Sequence, residues 1–239
     1  MNNPKILIGC VTHEKHSPLL DKFLKSLDEI NYKNKDILFV DNSEGKNYFE
    51  LLKEKGFNVL KESARFNVLK DNPKENRILN IISGRNIIRE YFLDKNYDYL
   101  FFLDTDVIVP KDIFQKLLEC NADIATGVYL CNQQIKDKRI ILPAIYKFHD
   151  EGKVKIPPIE EMTGEKIFEI AVCGMGCCLI KRDVLNKIKF RQFTSSTEDG
   201  EDVAFCIDAR KNGFKVKVNT AAKCKHIGKL NNEYKTLEI

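Results

Sequence analysis

The sequence predicts an α/β protein built on an open, mostly parallel β-sheet, and three observations support that class. Short apolar runs alternate with helical patterns through the first half of the chain, as in successive βαβ units. One run, Tyr99–Leu103, is continuously apolar and aromatic, as expected of a central strand covered on both faces. The composition, with 43% hydrophobic and 31% charged residues in 239, is that of a folded globular chain.

The first half of the chain supplies strands and helices in regular alternation. Apolar residues spaced three and four apart indicate the helices, and short apolar runs that end at turn-forming residues indicate the strands. In chain order the predicted elements are a strand at Lys5–Val11, a helix around Leu19–Leu27, a strand at Ile37–Val40, a helix at about 47–55, a strand at Phe57–Leu60, a helix at about 75–93, the strand Tyr99–Leu103, a helix from Pro110 to about Glu119 and a strand at Asp123–Leu130.

The second half is less regular. Residues 131–168 are rich in Lys, Pro and Gly, and Ile140–Phe148 and Val154–Ile156 predict a hairpin. We expect Lys138–Glu165 to be mobile without a ligand and to order over a bound one, and the residues outside the hairpin to form a loop. The later predicted elements are a strand-like run at Glu169–Lys181, helices at Arg182–Lys187 and Glu201–Asn212, and a strand from Phe214 to Val218. Residues 1–130 and 131–239 are expected to be two halves of one globular domain.

Charge and hydropathy argue against several classes of protein. The net charge is +4 and the basic residues are interspersed, so a nucleic acid is not an expected partner. The longest uncharged apolar stretch, Ile170–Ile180, contains two glycines and is shorter than the ~20 residues that span a bilayer. The N-terminus lacks a signal-peptide pattern, so we expect a cytoplasmic protein whose eight cysteines are reduced.

Polar side chains follow three of the predicted strands, at the edge where open parallel sheets bind ligands. Thr12 and Asp41 follow the first two strands, and Asp104 and Asp106 follow the central one. The glycine-rich fingerprints of dinucleotide-binding and P-loop enzymes are absent, which disfavours both. Two carboxylates at i and i+2 point to one side and suit Mg²⁺ or Mn²⁺ when a diphosphate supplies further ligands. Alternatively, they merely turn the chain before Pro110.

These motifs resemble those of nucleotide-sugar glycosyltransferases of the GT-A fold, especially family 2. The donor-side motifs that carry the resemblance are Ile6–Thr12, Ile37–Ser43, Gly84-Arg85-Asn86 and Phe101–Asp106. The acceptor-side motifs follow in the same order: Gly174-Met-Gly176, Leu179–Arg182, Glu201–Cys206, Gly213–Val216 and His226-Ile-Gly228. The resemblance covers nearly the whole chain, except residues 131–168 and the last eleven. It implies a Rossmann-like sheet with an acceptor-side α/β extension.

The resemblance also implies roles for individual residues. Thr12 and Asp41 would hold the nucleoside, and Arg85 would approach the diphosphate or the sugar. Asp104 would contact the ribose and the metal, whereas Asp106 and His226 would bind the metal, Mn²⁺ or Mg²⁺, directly. The implied activity is hexosyltransferase-like: transfer of a sugar from a nucleoside diphosphate to a hydroxyl of a glycan, lipid or protein acceptor, with peripheral membrane contact as an option.

The acidic pair Glu201-Asp202 opens a predicted helix, as the acidic pair of the resembled group does. An acceptor hydroxyl that attacks an anomeric carbon needs a carboxylate to take its proton. We therefore predict Asp202 as the general base of an inverting reaction. Glu198 and Asp199 precede Gly200 and belong to the loop. A retaining enzyme would not need this base, and acids at a helix start can be purely structural.

Other interpretations remain open at this point. Thr12 can cap a strand, Asp41 can form an Asx turn, Arg85 can be a solvated charge, and His226 can be structural. Three further histidines, His13, His16 and His149, are expected at the surface.

A sugar-phosphate nucleotidyltransferase shares the sheet and the metal but needs a glycine-rich phosphate loop that this sequence lacks. A non-catalytic alternative is a nucleotide-sugar-binding module or a zinc-stabilised one, with ligands from Cys173, Cys177, Cys178, Cys224 and His226, whose spacing is poor for zinc.

Overall fold

The computed structural model describes residues 3–62, 73–135, 138–149, 154–193, 200–230 and 233–239. The strands are β1 (Ile6–Thr12), β2 (Lys35–Asp41), β3 (Asn58–Lys61), β4 (Tyr99–Leu103), β5 (Val107–Ile108), β6 (Ile124–Val128), β7 (Leu130–Ile135), β8 (Lys138–Pro143), β9 (Ile145–Phe148), β10 (Val154–Lys155), β11 (Ile167–Glu169), β12 (Val172–Cys173), β13 (Cys177–Lys181), β14 (Val216–Lys223), β15 (Lys225–Leu230) and β16 (Glu233–Leu237). The α-helices are α1 (Leu20–Asp28), α2 (Asn47–Glu54), α3 (Pro73–Asp94), α4 (Ile113–Glu119), α5 (Arg182–Lys187) and α6 (Glu201–Lys211), and short 3₁₀ helices cover Glu14–Leu19 and Ile159–Met162.

Eight strands form the central sheet, in the order β11-β14-β6-β13-β4-β1-β2-β3. The pairs β4-β1, β1-β2, β2-β3 and β6-β14 are parallel, whereas β13 runs antiparallel between β4 and β6. Strands from both halves of the chain therefore share one mostly parallel sheet, which confirms the predicted fold class.

Both faces of the sheet are covered, because the central strands are apolar on both sides. Phe101 and Phe102 are adjacent in β4 and point into opposite hydrophobic clusters, where both are fully buried. On one face α3 lies close to β1, because Gly84 has no Cβ to meet the side chain of Val11. This close approach places the next residue of α3, Arg85, at the carboxyl end of the sheet.

A small C-terminal ribbon lies against the segment that follows β4. Strand β15 pairs with β16 on one side and with β5 on the other, where His226 is opposite Val107. The amide of Ile227 also donates to the carbonyl of Asp106 at 2.8 Å. His226 therefore lies within a strand, and the ribbon brings it to Asp106.

The expectation of a largely irregular segment at 138–165 is wrong, because the segment contains β8, β9, β10 and a 3₁₀ helix. The predicted hairpin exists between β9 and β10, whose connecting residues 150–153 lie outside the described part. The residues before the hairpin pair elsewhere. Strand β8 forms a ribbon with β7, which the sequence did not predict. The strand-like run at Glu169–Lys181 is broken into short strands that pair with different neighbours.

Within the described residues, no helix combines the length and the apolar character needed to cross a membrane.

Candidate functional site

Two cavities meet at the carboxyl edge of the parallel strands. The first, of about 630 Å³, is lined by Thr12, His13 and Asn42 at the ends of β1 and β2. The second, of about 440 Å³, is lined by Tyr129 and Asp202 on the opposite side. The residues that line both cavities, and so form the boundary between them, are Arg77, Ile81, Arg85, Asp104 and Asp106.

Asp104 and Asp106 lie where the sequence predicts, in the turn after β4. The amide of Asp104 donates to the carbonyl of Gly176 at 3.1 Å, which fixes the turn against the start of β13. Burial raises the pKa of Asp104, and the nearby guanidinium of Arg85 opposes this shift only partly. For Asp106 burial acts in the same direction, but the contact with His226 outweighs it and lowers the pKa. The two carboxylates therefore have different electrostatic environments.

His226 faces Asp106 through one ring nitrogen and is anchored through the other. Its Nδ1 lies 2.8 Å from the carbonyl oxygen of Leu130, and because a carbonyl can only accept, Nδ1 must donate. Its Nε2 lies 3.5 Å from Oδ2 of Asp106. Burial lowers the pKa of His226, but the Asp106 carboxylate more than compensates, so the pKa is raised overall. Anchoring one nitrogen on a carbonyl is the usual arrangement of a metal-binding histidine.

The described residues contain no ready-made group of three or more His, Cys, Asp or Glu side chains that could hold a metal ion. The side chains of Asp106 and His226 converge, but that of Asp104 points towards Arg85. Its Oδ1 lies 3.3 Å from Nη2 of Arg85. The two carboxylates and the imidazole nevertheless fit a divalent cation that accepts oxygen and nitrogen ligands. A bound substrate would supply the remaining ligands of its coordination shell.

Arg85 is a buried cation held between two acidic residues. Its Nε donates to Oε1 of Glu201 at 2.9 Å, and its guanidinium lies over the ring of Phe102 at 5.2 Å. Burial alone would lower the pKa of Arg85, but the Asp104 and Glu201 carboxylates reverse the direction and raise it. Arg85 therefore links the Asp104 turn to the start of α6, in addition to lining both cavities.

Glu201 is a residue of this site to which the sequence assigned no separate role. It is only 7% exposed and forms the ion pair with Arg85 across 116 residues of sequence. The only signal available was an acidic residue at a predicted helix start, which the helix dipole explains equally well.

Asp202 lies at the start of α6 and lines the second cavity. Its Oδ1 accepts from the amide of Val203 at 2.8 Å. Burial and the neighbouring Glu201 raise the pKa of Asp202 to about 7, although the Val203 amide and Arg85 oppose the shift. A carboxylate with a pKa near neutrality is matched to proton transfer. Asp199, expected to belong to the preceding loop, lies outside the described residues.

Thr12 and Asp41 lie at adjacent strand ends, as expected, but their side chains are already engaged. Thr12 Oγ1 lies 3.1 Å from the hydroxyl of Tyr48, at the wall of the first cavity. Asp41 is fully buried, accepts from Ser43 and forms an ion pair with Lys61 at 2.7 Å. Asp41 is not among the residues lining the first cavity.

His16 was expected at the surface, but it is half-buried and lines the first cavity. Its Nδ1 lies 2.8 Å from the hydroxyl of Thr105, between the two aspartates. Burial lowers the pKa of His16, which favours the neutral form of the ring. The sequence places this histidine 89 residues from Thr105, and no periodicity reports such a contact.

Gly174 and Gly176 make room for the hydroxyl of Tyr129. A Cβ at Gly174 would overlap this hydroxyl, and one at Gly176 would lie 2.9 Å from it and 3.0 Å from Oδ2 of Asp104. The amide of Gly176 donates to the Tyr129 hydroxyl at 3.1 Å. The immediate neighbour of both glycines is therefore a buried tyrosine.

Gly174→Ala should destabilise the fold by about 1–3 kcal/mol, the usual cost of overpacking a core. Removing the obstructing hydroxyl with Tyr129→Phe should reduce that cost, so a double-mutant cycle followed by chemical denaturation should show favourable coupling. Gly45→Ala is the control, because among the described residues only Glu14 lies within 4 Å of its added Cβ. Equal costs of Gly174→Ala in both backgrounds would contradict the packing explanation.

The cysteines considered for zinc form pairs of thiols in the core. The sulfurs of Cys177 and Cys224 are 3.5 Å apart, and those of Cys173 and Cys178 are 3.9 Å apart. All four are buried and reduced.

Comparisons with known proteins identify the fold. The chain superposes on GalNAc-T7, solved with UDP, GalNAc and Mn²⁺, with a TM-score of 0.68 and 15% identity over 97% of this chain and 45% of that one. It superposes on residues 1–349 of S. aureus TarS, solved with UDP-GlcNAc, with a TM-score of 0.53 and 14% identity over 90% and 55% of the two chains. This chain therefore spans about half the length of either structure. A197 from STIV matches 98% of this chain and 93% of its own, with 20% identity and a TM-score of 0.48.

Sequence comparison adds no assignment, since neither a family model nor a curated protein matches the chain. The matches to GalNAc-T7 and TarS nonetheless show its fold. The chain has the GT-A fold of the nucleotide-sugar glycosyltransferases, as the motifs had led us to expect.

Proposed function

We infer that the protein transfers a sugar from a nucleoside diphosphate to an acceptor hydroxyl, with a divalent cation. The observation that carries this proposal is the meeting of the two cavities at Asp104, Asp106 and Arg85, with Asp202 on the far side. A donor that spans this boundary would place its nucleoside in the first cavity and its sugar beside Asp202.

The first cavity suits the nucleoside diphosphate. Lys15 and Arg77 line it and supply positive charge for phosphate groups. Asn42 is at its wall, and Oδ1 of Asn42 is buried without a hydrogen-bond partner among the described residues, so a ligand N–H would satisfy it. Thr12 and Asp41 remain our proposed nucleoside residues, with Asp41 held in place by Lys61 and Ser43.

Asp106 and His226 are the proposed protein ligands of Mn²⁺ or Mg²⁺, with Asp104 beside them. When bound, such a cation stabilises the negative charge that develops on a departing diphosphate. The anchored Nδ1 of His226 presents Nε2 on the same side as Asp106, which is the orientation ligation requires. Arg85 holds Asp104 in position and brings a fixed positive charge to the same boundary.

Asp202 would accept the proton of the attacking hydroxyl. In that step the acceptor oxygen bonds to the anomeric carbon, the bond from that carbon to the diphosphate oxygen breaks, and the proton passes to the Asp202 carboxylate. Such a displacement inverts the anomeric configuration. The acceptor, whether glycan, lipid or protein, would enter through the second cavity.

The proposal is tested by thermal shift with UDP- and GDP-sugars in Mn²⁺ and then in EDTA. A ligand at 100 times its Kd stabilises a protein by about 2.7 kcal/mol, which gives a readily measured rise in Tm. We expect at least one sugar nucleotide to raise Tm in Mn²⁺ and to do so less in EDTA. An unchanged Tm with every donor in Mn²⁺ would contradict the proposal.

A further inference from the structure

Tyr129 is a buried polar side chain with no role so far in the proposed reaction. It lies between β6 and β7, it is 8% exposed, and its ring packs edge-on against His226 with ring centroids 6.0 Å apart. Its hydroxyl oxygen accepts from the amide of Gly176. Gly174 and Gly176 provide the space that this hydroxyl occupies, and a larger residue at either position would fill that space.

The hydroxyl proton of Tyr129 has no acceptor among the described residues. The only hydrogen bond of this hydroxyl within that part of the chain is the one it accepts. The ordinary pKa of a tyrosine phenol is about 10, so the hydroxyl carries its proton at neutral pH. A buried donor without an acceptor is costly, and a bound ligand would remove that cost.

The position of Tyr129 indicates which part of a ligand it meets. Tyr129 lines the second cavity together with Asp202 and Gly174, and it is absent from the wall of the first cavity. A nucleoside and its phosphates would occupy the first cavity, so the atom that reaches Tyr129 lies beyond the diphosphate. A neutral phenol donor suits a neutral hydroxyl oxygen.

We propose that Tyr129 donates a hydrogen bond to a hydroxyl of the transferred sugar and helps to determine which sugar is accepted. This inference rests on the proposed function and extends it to a specificity-determining residue. Sites that hydrogen-bond a substrate hydroxyl discriminate against analogues that lack it, because the buried protein group is then left unpaired.

The test compares wild type with Tyr129→Phe in Mn²⁺, with water as the acceptor. The probes are UDP- and GDP-hexoses and the single-deoxy analogues of whichever donor the wild type consumes. We expect kcat/KM for the parent donor to fall about tenfold, the factor of one hydrogen bond, while inhibition by UDP or GDP stays the same. For the analogue lacking the contacted hydroxyl, wild type and variant should be equal.

Tyr32→Phe is the matched control, because the Tyr32 hydroxyl donates to the carbonyl of Pro4, and Tyr32 lines neither cavity. Unchanged inhibition by the free nucleotide in Tyr129→Phe also shows that the donor site is still folded. A loss of the same size on the parent and on every deoxy analogue, or no loss at all, would overturn the proposed contact. A wild-type protein that consumes no donor would refute the proposed function itself.

Discussion

Asp202→Asn should lower turnover by about 10²–10⁴-fold, the range typical of losing a general base, while donor affinity changes by only a few fold. The amide keeps the size of the side chain and can still accept from the Val203 amide, but it cannot take a proton. Steady-state kinetics and calorimetric donor binding measure the two effects separately. Wild-type activity should also rise with pH through about 7, since the carboxylate must be ionised to act as a base.

The same substitution should make the protein more stable at pH 8. Burial raises the pKa of Asp202 to about 7 from an ordinary 3.8, so the folded protein holds this proton more tightly than the unfolded chain. The stabilisation that this bound proton contributes is therefore complete below about pH 4 and is lost as the pH rises through about 7. Asp202→Asn removes that loss, which is on the order of 1–3 kcal/mol. Thermal denaturation at pH 5 and pH 8 measures it.

Asp208 on the same helix provides the control. Its carboxylate pairs with Arg191 at the surface and lines neither cavity, so Asp208→Asn should leave turnover unchanged. A fall in donor affinity in Asp202→Asn would move Asp202 into the donor site, and unchanged turnover would remove it from catalysis. A product of retained configuration together with a loss of activity in Asp202→Asn would mean that the residue positions the acceptor without taking its proton.

Asp106→Asn should abolish the metal-dependent part of nucleoside diphosphate binding. Even changes outside the ligand shell of a metal cost about 10–100-fold in affinity or activity, so loss of a direct ligand should cost at least as much. Calorimetry with UDP and GDP should show that Asp106→Asn in Mn²⁺ binds no better than wild type in EDTA. Uridine and guanosine, which have no phosphate to meet the cation, should bind as they do to wild type.

Asp112→Asn is the matched control, because Asp112 pairs with Lys116 near the surface and lines neither cavity. It should leave the metal effect intact. If the wild type bound each nucleotide with the same affinity in Mn²⁺ as in EDTA, a metal role for Asp106 would be contradicted.

The fold class and the strand ends could be predicted from the sequence, because both follow from local patterns of apolar and turn-forming residues. The apolar run Tyr99–Leu103 could only be a buried strand, and the turn-forming Asp104 and Asp106 had to follow it. Parallel pairing then brings the ends of β1, β2 and β4 to one edge, whatever the remaining details of the fold.

The contacts within the site could not be predicted in the same way. Periodicity reports which face of an element is buried but not which partner covers it, so the ion pair of Arg85 with Glu201 left no signal. The fit of Gly174 around Tyr129 likewise depends on tertiary pairing, because the Ala144 amide donates to the Tyr129 carbonyl and the Gly174 amide donates to the Ala144 carbonyl. His226 reaches Asp106 only because a short ribbon pairs β5 with β15.

Sugar transfer is tested most directly by following the donor itself. Phosphorus NMR of UDP- and GDP-sugars incubated with the protein and Mn²⁺ should show free nucleoside diphosphate appearing from at least one donor. Release should stop in EDTA and fall by about two orders of magnitude or more in Asp202→Asn. Donors that all stay intact with folded wild-type protein, or release that is equally fast in Asp202→Asn, would contradict a glycosyl transfer centred on Asp104, Asp106 and Asp202.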